Sequence, residues 1–88
     1  MKNELNMTSA LNAFNQVVKL GTKNDGIYRY QHIEAWHDFD GYTCYLKACG
    51  VTLSLLFHGK YHIDYQQPQQ LNDFMSLIDK LSVKGQLG

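Results

Sequence analysis

The feature that most constrains the fold of this chain is the alternation of polar and apolar residues between positions 38 and 65. Apolar side chains recur there at about every second position, which is typical of strands that bury one face of a sheet. Three turn-forming dipeptides separate the apolar runs: Asp40-Gly41, Cys49-Gly50 and Gly59-Lys60. The pattern predicts three consecutive antiparallel strands joined by hairpins.

The register of these strands follows from keeping the apolar residues on one face, because a slip of one residue would turn them all outward. A two-residue turn at Asp40-Gly41 places Phe39 opposite Tyr42 and directs Tyr42 inward together with Cys44. Asp-Gly suits this turn because both central residues of a type I′ turn need positive φ.

The other two hairpins are constrained by the same rule. A two-residue turn at Cys49-Gly50 and a four-residue loop over residues 47–50 direct the same side chains inward, so both remain open. At the third hairpin a two-residue turn would direct Ile63 outward. A three-residue loop over residues 58–60 pairs Leu55 with Ile63 and keeps both inward, and we predict this loop.

A further strand and two helices complete the predicted elements. Residues 27–37 are rich in aromatic and β-branched side chains and predict a single first strand, and residues 22–26 predict a loop before it. Each helix has apolar residues at three- and four-residue steps. In the first helix these are Met7, Ala10, Leu11, Phe14, Val17 and Val18, and in the second they are Leu71, Phe74, Met75, Leu77, Ile78 and Leu81.

The ends of both helices carry recognisable residues. Asn6 or Thr8 can cap the first helix, and we expect Gly21 to end it in the left-handed conformation. Pro68 suits the first turn of the second helix, and Gly85 is expected to end it. The resulting fold class is α+β, in the order α-β-β-β-β-α. We predict one domain over residues 1–88, with both helices on one face of a four-stranded antiparallel meander.

The sheet face that the helices leave uncovered is the most informative surface. From the last three strands we expect it to carry Thr43, Tyr45, Lys47, Thr52, Ser54, Leu56, His58, His62 and Asp64. The first strand adds Tyr28, Tyr30, His32 and Trp36, unless a bulge shifts its phase. Hydroxyl and β-branched residues are ordinary on a solvated sheet, but the aromatic residues and Leu56 are in excess. The candidate interface residues are therefore Trp36, Tyr45, Ser54, Leu56, His58 and His62.

Charge and composition narrow the classes of function. The chain of 88 residues has a formal net charge of zero and only eight basic residues, which lie scattered, so nucleic acid is not the expected partner. No apolar run has the length of a membrane span, and we expect no membrane partner. Two cysteines are too few for a disulfide scaffold, so a reducing, cytoplasmic location is expected.

The four histidines suggest a metal site, but their spacing does not support one. Cys44, Cys49, His58 and His62 superficially resemble a zinc-ligand series. However, Cys49 and His58 fall at opposite ends of the predicted third strand, about 30 Å apart at 3.3 Å per residue. A weak site formed by His58 and His62 with help from Asp64 remains the alternative, and no metal or other cofactor is expected.

Catalytic chemistry finds little support in the residues. His37-Asp38-Phe39-Asp40 places two carboxylates beside an imidazole, but Asp40 and Asp38 are also what a turn requires. Cys44 is interpreted as a small buried hydrophobic residue, with no basic group nearby unless a histidine approaches it in space. We therefore expect no catalytic residues and no enzyme activity.

The segment FDGYT…VTLSLLFHGKYHIDY and the amphipathic helix after it resemble a family of small bacterial proteins of unknown function. The resemblance covers roughly residues 38–80 and rests on turn and core residues, so it implies a fold and no activity. This chain departs from the pattern at Ala48-Cys49-Gly50, where a more polar turn is expected.

Hypotheses of different kinds follow. The leading one is a non-catalytic protein-interaction module that contacts itself or another protein through the uncovered sheet face, with pairing of edge strands as a second route to a homodimer. The alternatives are binding of single-stranded nucleic acid through exposed sheet aromatics, and the weak His/Asp metal site.

Overall fold

The structure, a computed structural model, describes residues 6–39, 41–56 and 59–87. Its elements in chain order are α1 (Met7–Leu20), β1 (Thr22–Asn24), β2 (Ile27–Tyr30), β3 (Ile33–His37), β4 (Cys44–Ala48), β5 (Val51–Leu55), β6 (Tyr61–Asp64) and α2 (Pro68–Leu87). The six strands form one antiparallel sheet whose spatial order follows the sequence. The α+β class with two helices and an antiparallel meander is confirmed, but the prediction of four strands is wrong.

One additional strand lies in the segment that was predicted to be a loop. Asp25 and Gly26 have φ angles of +54° and +80°, as a two-residue type I′ turn requires. This turn places Asn24 opposite Ile27, so β1 pairs with β2. The Asp-Gly dipeptide therefore joins two strands instead of introducing the first one.

The other additional strand arises because the predicted first strand is a hairpin. Gln31, with φ +55°, begins a two-residue turn that places Tyr30 opposite Ile33 and Tyr28 opposite Ala35. The chain reverses here, so the even-numbered residues of β2 share a face with the odd-numbered residues of β3. Gln31-His32 contains none of the usual turn residues, which is why this turn was not predicted.

The β3–β4 hairpin has the predicted register, with Ala35 opposite Leu46. Its turn is wider than predicted. The N–H of Gly41 donates to the carbonyl of Asp38 at 2.9 Å, and β4 begins only at Cys44. Tyr42 consequently lies in the connection and is 66% exposed, so its predicted inward position is wrong. Asp40 lies outside the described residues.

The β4–β5 hairpin uses the shorter of the two predicted connections. Cys49 and Gly50 have φ angles of +56° and +76°, and Ala48 lies opposite Val51.

In the β5–β6 hairpin the inward face is as predicted but the register differs by two residues. Leu53 pairs with Ile63, and Leu55 pairs with Tyr61 instead of Ile63. The N–H of Leu56 donates to the carbonyl of Lys60 at 2.8 Å, so these two residues continue the pairing. Gly59, which precedes Lys60, has φ +73°, a left-handed conformation that suits glycine better than the Lys60 of the predicted loop end. Phe57, which was predicted to point inward, lies outside the described residues.

Both helices begin as predicted, and α1 also ends at the predicted residue, Gly21, but α2 ends later than predicted. The side-chain oxygen of Asn6 accepts hydrogen bonds from the N–H groups of Thr8 and Ser9 at 2.9 and 3.2 Å, so Asn6 is the N-cap of α1. Pro68 is the first residue of α2. This helix passes through Gly85 and ends at Leu87, so the predicted stop at Gly85 is wrong.

Gly21 ends α1 for a reason other than the predicted left-handed conformation. Its φ and ψ are −84° and 176°, which any residue can adopt. A Cβ atom there would lie 2.5 Å from the carbonyl oxygen of Val17 and 2.6 Å from that of Arg29. Glycine is therefore required by the close approach of two backbone segments.

The hydrophobic core lies between the helices and one face of the sheet, which we call the inner face. Its buried residues form a single cluster: Ala10, Ala13, Phe14, Val17, Ile33, Ala35, Leu46, Ala48, Val51, Leu53, Leu55, Phe74, Ile78 and Leu81. Members from both helices and from strands β3 to β5 belong to it. The opposite face, which we call the open face, has no helix packed on it among the described residues.

Candidate protein-interaction surface

The strand register arranges the side chains of the open face in two rows that cross the sheet. The first, which we call the aromatic row, contains Trp36, Tyr45, Ser54 and His62. The second, which we call the charged row, contains Thr22, Arg29, Glu34, Lys47, Thr52 and Asp64. Each row places one residue on each strand that it crosses.

The aromatic row is centred on a stacked pair of rings. Trp36 of β3 lies directly opposite Tyr45 of β4, with 5.2 Å between ring centroids and 17° between ring planes. Both side chains are half-buried. A pair of this kind contributes about 0.5–1.5 kcal/mol beyond the burial of its area. Alternation in β2 places Ile27 on the same face, beside the Trp36 end of the row.

The charged row alternates in sign near its middle. Arg29 Nε lies 2.9 Å from Glu34 Oε2, and these side chains are 48% and 33% exposed. Lys47 lies opposite Glu34 on its other side, in β4. Exposed ion pairs stabilise a fold by about 1 kcal/mol or less, so the Arg29–Glu34 pair contributes little to the stability of the domain.

Most of the predicted interface residues come together on this surface. Trp36, Tyr45, Ser54 and His62 form the aromatic row. Leu56 follows β5 on the Ser54 side and is 40% exposed. His58, the remaining predicted interface residue, lies outside the described residues.

The prediction for the first strand was wrong at three positions. Tyr28 and Tyr30 lie on the inner face, where they pack against the core, and His32 lies in the turn. The β2–β3 turn reverses the side on which even-numbered residues lie. The same reversal brings Arg29 to the open face, which was not predicted. Arg29 could have been placed on the open face only if the turn at Gln31-His32 had been predicted.

Exposed apolar side chains also gather at one end of the sheet. The connections from β3 to β4 and from β5 to β6 lie at this end, and they or the adjoining strand residues carry Phe39, Tyr42, Leu56 and Tyr61. Phe39 is fully exposed. Of these, Leu56 lies on the side of the open face, whereas Tyr61, opposite Leu55, lies on the inner side.

The histidines described by the structure are spread over three locations. His62 lies on the open face, His32 lies in a turn, and His37 lies on the inner side with its ring 5.8 Å from that of Phe14. Within residues 6–39, 41–56 and 59–87, no group of three His, Cys, Asp or Glu side chains is placed to hold a metal ion. His58 of the predicted weak site is not among them.

The two cysteines have contrasting environments, and both are free. Cys44 lies opposite His37 on β4, and burial raises the pKa of its thiol. A raised pKa lowers the thiolate fraction of Cys44. Cys49 is exposed in its turn and lines an open depression of about 360 Å³, together with the β2–β3 turn and with Arg29, Glu34 and Lys47 of the charged row.

The fold and this surface define a small α+β domain in which two helices cover one face of an antiparallel meander. The chain belongs to a family of proteins of unknown function, DUF3081, which matches residues 5–86. This match confirms the predicted membership of an uncharacterised family. Neither a search of curated proteins nor a search of solved structures finds a match. Among the described helices, none is both long and apolar enough to cross a membrane.

Proposed function

We propose that this protein is a small non-catalytic interaction module that associates with itself through the open sheet face. The observation that carries the proposal is the stacked Trp36–Tyr45 pair, which is partly exposed at the middle of a face that neither described helix covers. Interfaces between proteins are enriched in Trp and Tyr, because these residues bury a large area and retain a polar group. Leu56, which follows β5 on the same side as Ser54, adds exposed apolar area.

The charges of the open face favour a protein partner over nucleic acid. Arg29 is paired with Glu34, and Asp64 lies at the far end of the same row. A surface that binds single strands needs unneutralised cations along the path of the backbone. Opposite charges in one row instead suit a partner that also carries both signs.

The proposed setting is a reducing compartment such as the bacterial cytoplasm. Cys44 and Cys49 are both free, which suits a chain that does not depend on disulfides for stability.

The single tryptophan of the chain provides a direct test, because Trp36 lies on the proposed contact surface. We expect its emission to shift to shorter wavelength and its quenching by acrylamide to fall as the protein concentration rises. Leu56→Glu should abolish this dependence on concentration. Leu11→Glu is the matched control, because Leu11 is exposed to a similar degree, 44% against 40%, but lies on α1. Emission independent of concentration in the wild type would contradict the proposal.

A further inference from the structure

The open face is complementary to itself in one particular arrangement. Resting on the proposed function, we infer that its partner is a second copy of this chain, related by a twofold axis that runs parallel to the strands between β3 and β4. The inference comes from the strand register, which fixes which residues would face each other.

The geometry of such a dimer is simple. A twofold axis that lies between two facing sheets and runs along the strands keeps each row opposite itself and reverses the order of the strands. The β3 strand of one copy then faces β4 of the other, and β2 faces β5. Contacts occur in symmetric pairs, so every contact near the axis is made twice.

In the charged row, this arrangement brings opposite charges together. Glu34 faces Lys47 of the second copy, and Lys47 faces Glu34 in return. Arg29 faces Thr52. No like charges in this row meet, and the attractive pair lies closest to the axis, where the twist of packed sheets separates the strands least.

In the aromatic row, the same axis joins two stacked pairs into one cluster. Trp36 of each copy faces Tyr45 of the other, so four rings meet beside the axis. Such a cluster at the middle of an interface, with charged residues next to it, has the composition of a binding hot spot.

Other positions of the axis are less favourable. An axis along β3 would place Glu34 against Glu34, and an axis along β4 would place Lys47 against Lys47. An axis perpendicular to the strands would exchange the rows and set Glu34 against Trp36. Charges buried without an opposite partner are costly, so the charges select the axis between β3 and β4.

The size of the sheet gives an estimate of the area that the dimer buries and hence of its affinity. Six strands spaced about 4.8 Å apart and about 16 Å long give a contact area of roughly 400 Å² per copy. The total of about 800 Å² is below the 1,200 Å² or more of stable interfaces. We therefore expect dissociation in the micromolar range, which a mutational test can resolve.

The test is complementation between two charge-reversal variants, followed by sedimentation velocity. Glu34→Lys alone should be monomeric, because two pairs of lysines would face each other. Lys47→Glu alone should be monomeric, because two pairs of glutamates would face each other. In an equimolar mixture every pair at these positions joins opposite charges, so we expect the dimer to return. Circular dichroism verifies that each variant is folded.

The matched controls are Lys19→Glu and Asp79→Lys, which reverse exposed charges on the helices. Each should sediment as the wild-type dimer does. The inferred axis is overturned if either open-face variant dimerises alone or if their mixture stays monomeric. If that mixture fails while Leu56→Glu still dissociates the wild-type dimer, only the axis is wrong and the proposed function stands. A wild-type chain that is monomeric throughout contradicts both.

Discussion

The indole of Trp36 lies against the phenol ring of Tyr45, 5.2 Å between centroids, on neighbouring strands of a sheet face that no described helix covers. Because the two rings come from β3 and β4, the pair connects the stability of the domain to the surface proposed for association. Tyr45→Thr keeps a residue that favours strands but removes the ring. We expect it to lower the free energy of unfolding by about 1 kcal/mol.

Urea unfolding monitored by circular dichroism, at a concentration where the chain is monomeric, measures this change. Tyr61→Thr is the control, because Tyr61 is an exposed tyrosine on the edge strand β6. An equal loss for both variants would mean that the ring stack does not stabilise the sheet.

The close approach at Gly21 gives a prediction about the junction of helix and sheet. Gly21→Ala places a methyl group against two backbone carbonyls, neither of which can move independently of its element. We expect a loss of about 2–3 kcal/mol in the free energy of unfolding. Gly26→Ala serves for comparison, since Gly26 has φ +80° but open space around it, and should lose only about 1 kcal/mol. The reverse order in urea midpoints would contradict the role assigned to Gly21.

A substitution in the turn between β4 and β5 should stabilise the protein. Cys49 has φ +56°, a conformation that asparagine tolerates better than other residues with a Cβ atom. Cys49→Asn should raise the free energy of unfolding by about 0.5–1 kcal/mol, because it removes strain without a change in packing. Cys49→Val should lower it, since a β-branched residue is strained at this φ. Thermal melts of the two variants should therefore move in opposite directions from the wild type.

The two thiols should differ in reactivity. Burial raises the pKa of Cys44 above its ordinary value of 9.0, whereas Cys49 is exposed. Under native conditions a disulfide reagent should modify Cys49 rapidly and Cys44 slowly, and denaturant should make the rates similar. The variants Cys44→Ser and Cys49→Ser, each with one thiol, assign the two phases. Faster modification of Cys44 would contradict its buried position.

The same pKa shift has a consequence for stability with a definite sign. Because burial raises the pKa of Cys44, the folded state favours the neutral thiol. The stabilisation of the folded state by this preference is complete below the pKa of the unfolded thiol. It is lost as the pH rises through the higher pKa of the folded state. Unfolding free energy measured at increasing alkaline pH should fall more steeply for the wild type than for Cys44→Ala.

The parts of the fold that were predictable from sequence are those in which a buried face determines the register. Leu46, Leu53 and Ile63 are all on the inner face as expected, since a slip of one residue would have exposed them. A slip of two residues leaves the faces unchanged. This is why the pairing of Leu55 was wrong while its orientation was right.

Both missed hairpins have turns with positive φ. Asp25-Gly26 is a favourable pair for a type I′ turn but was interpreted as part of a loop. Gln31 adopts positive φ without being Gly, Asn or Asp, so the β2–β3 hairpin was interpreted as one strand. On the sheet surface, this error affected only the residues that precede the turn. Trp36 and Tyr45 follow that turn and were placed correctly, whereas Tyr28 and Tyr30 precede it and were placed on the wrong face.

The most direct test of self-association is the solution mass of the wild-type chain and of Tyr45→Glu, measured by light scattering across about 5–200 μM, a range that brackets micromolar dissociation. We expect the wild type to pass from the mass of one chain to that of two as its concentration rises, and Tyr45→Glu to stay at the mass of one. A wild-type mass of one chain over the whole range, or a Tyr45→Glu variant that still dimerises, would contradict association through the open face.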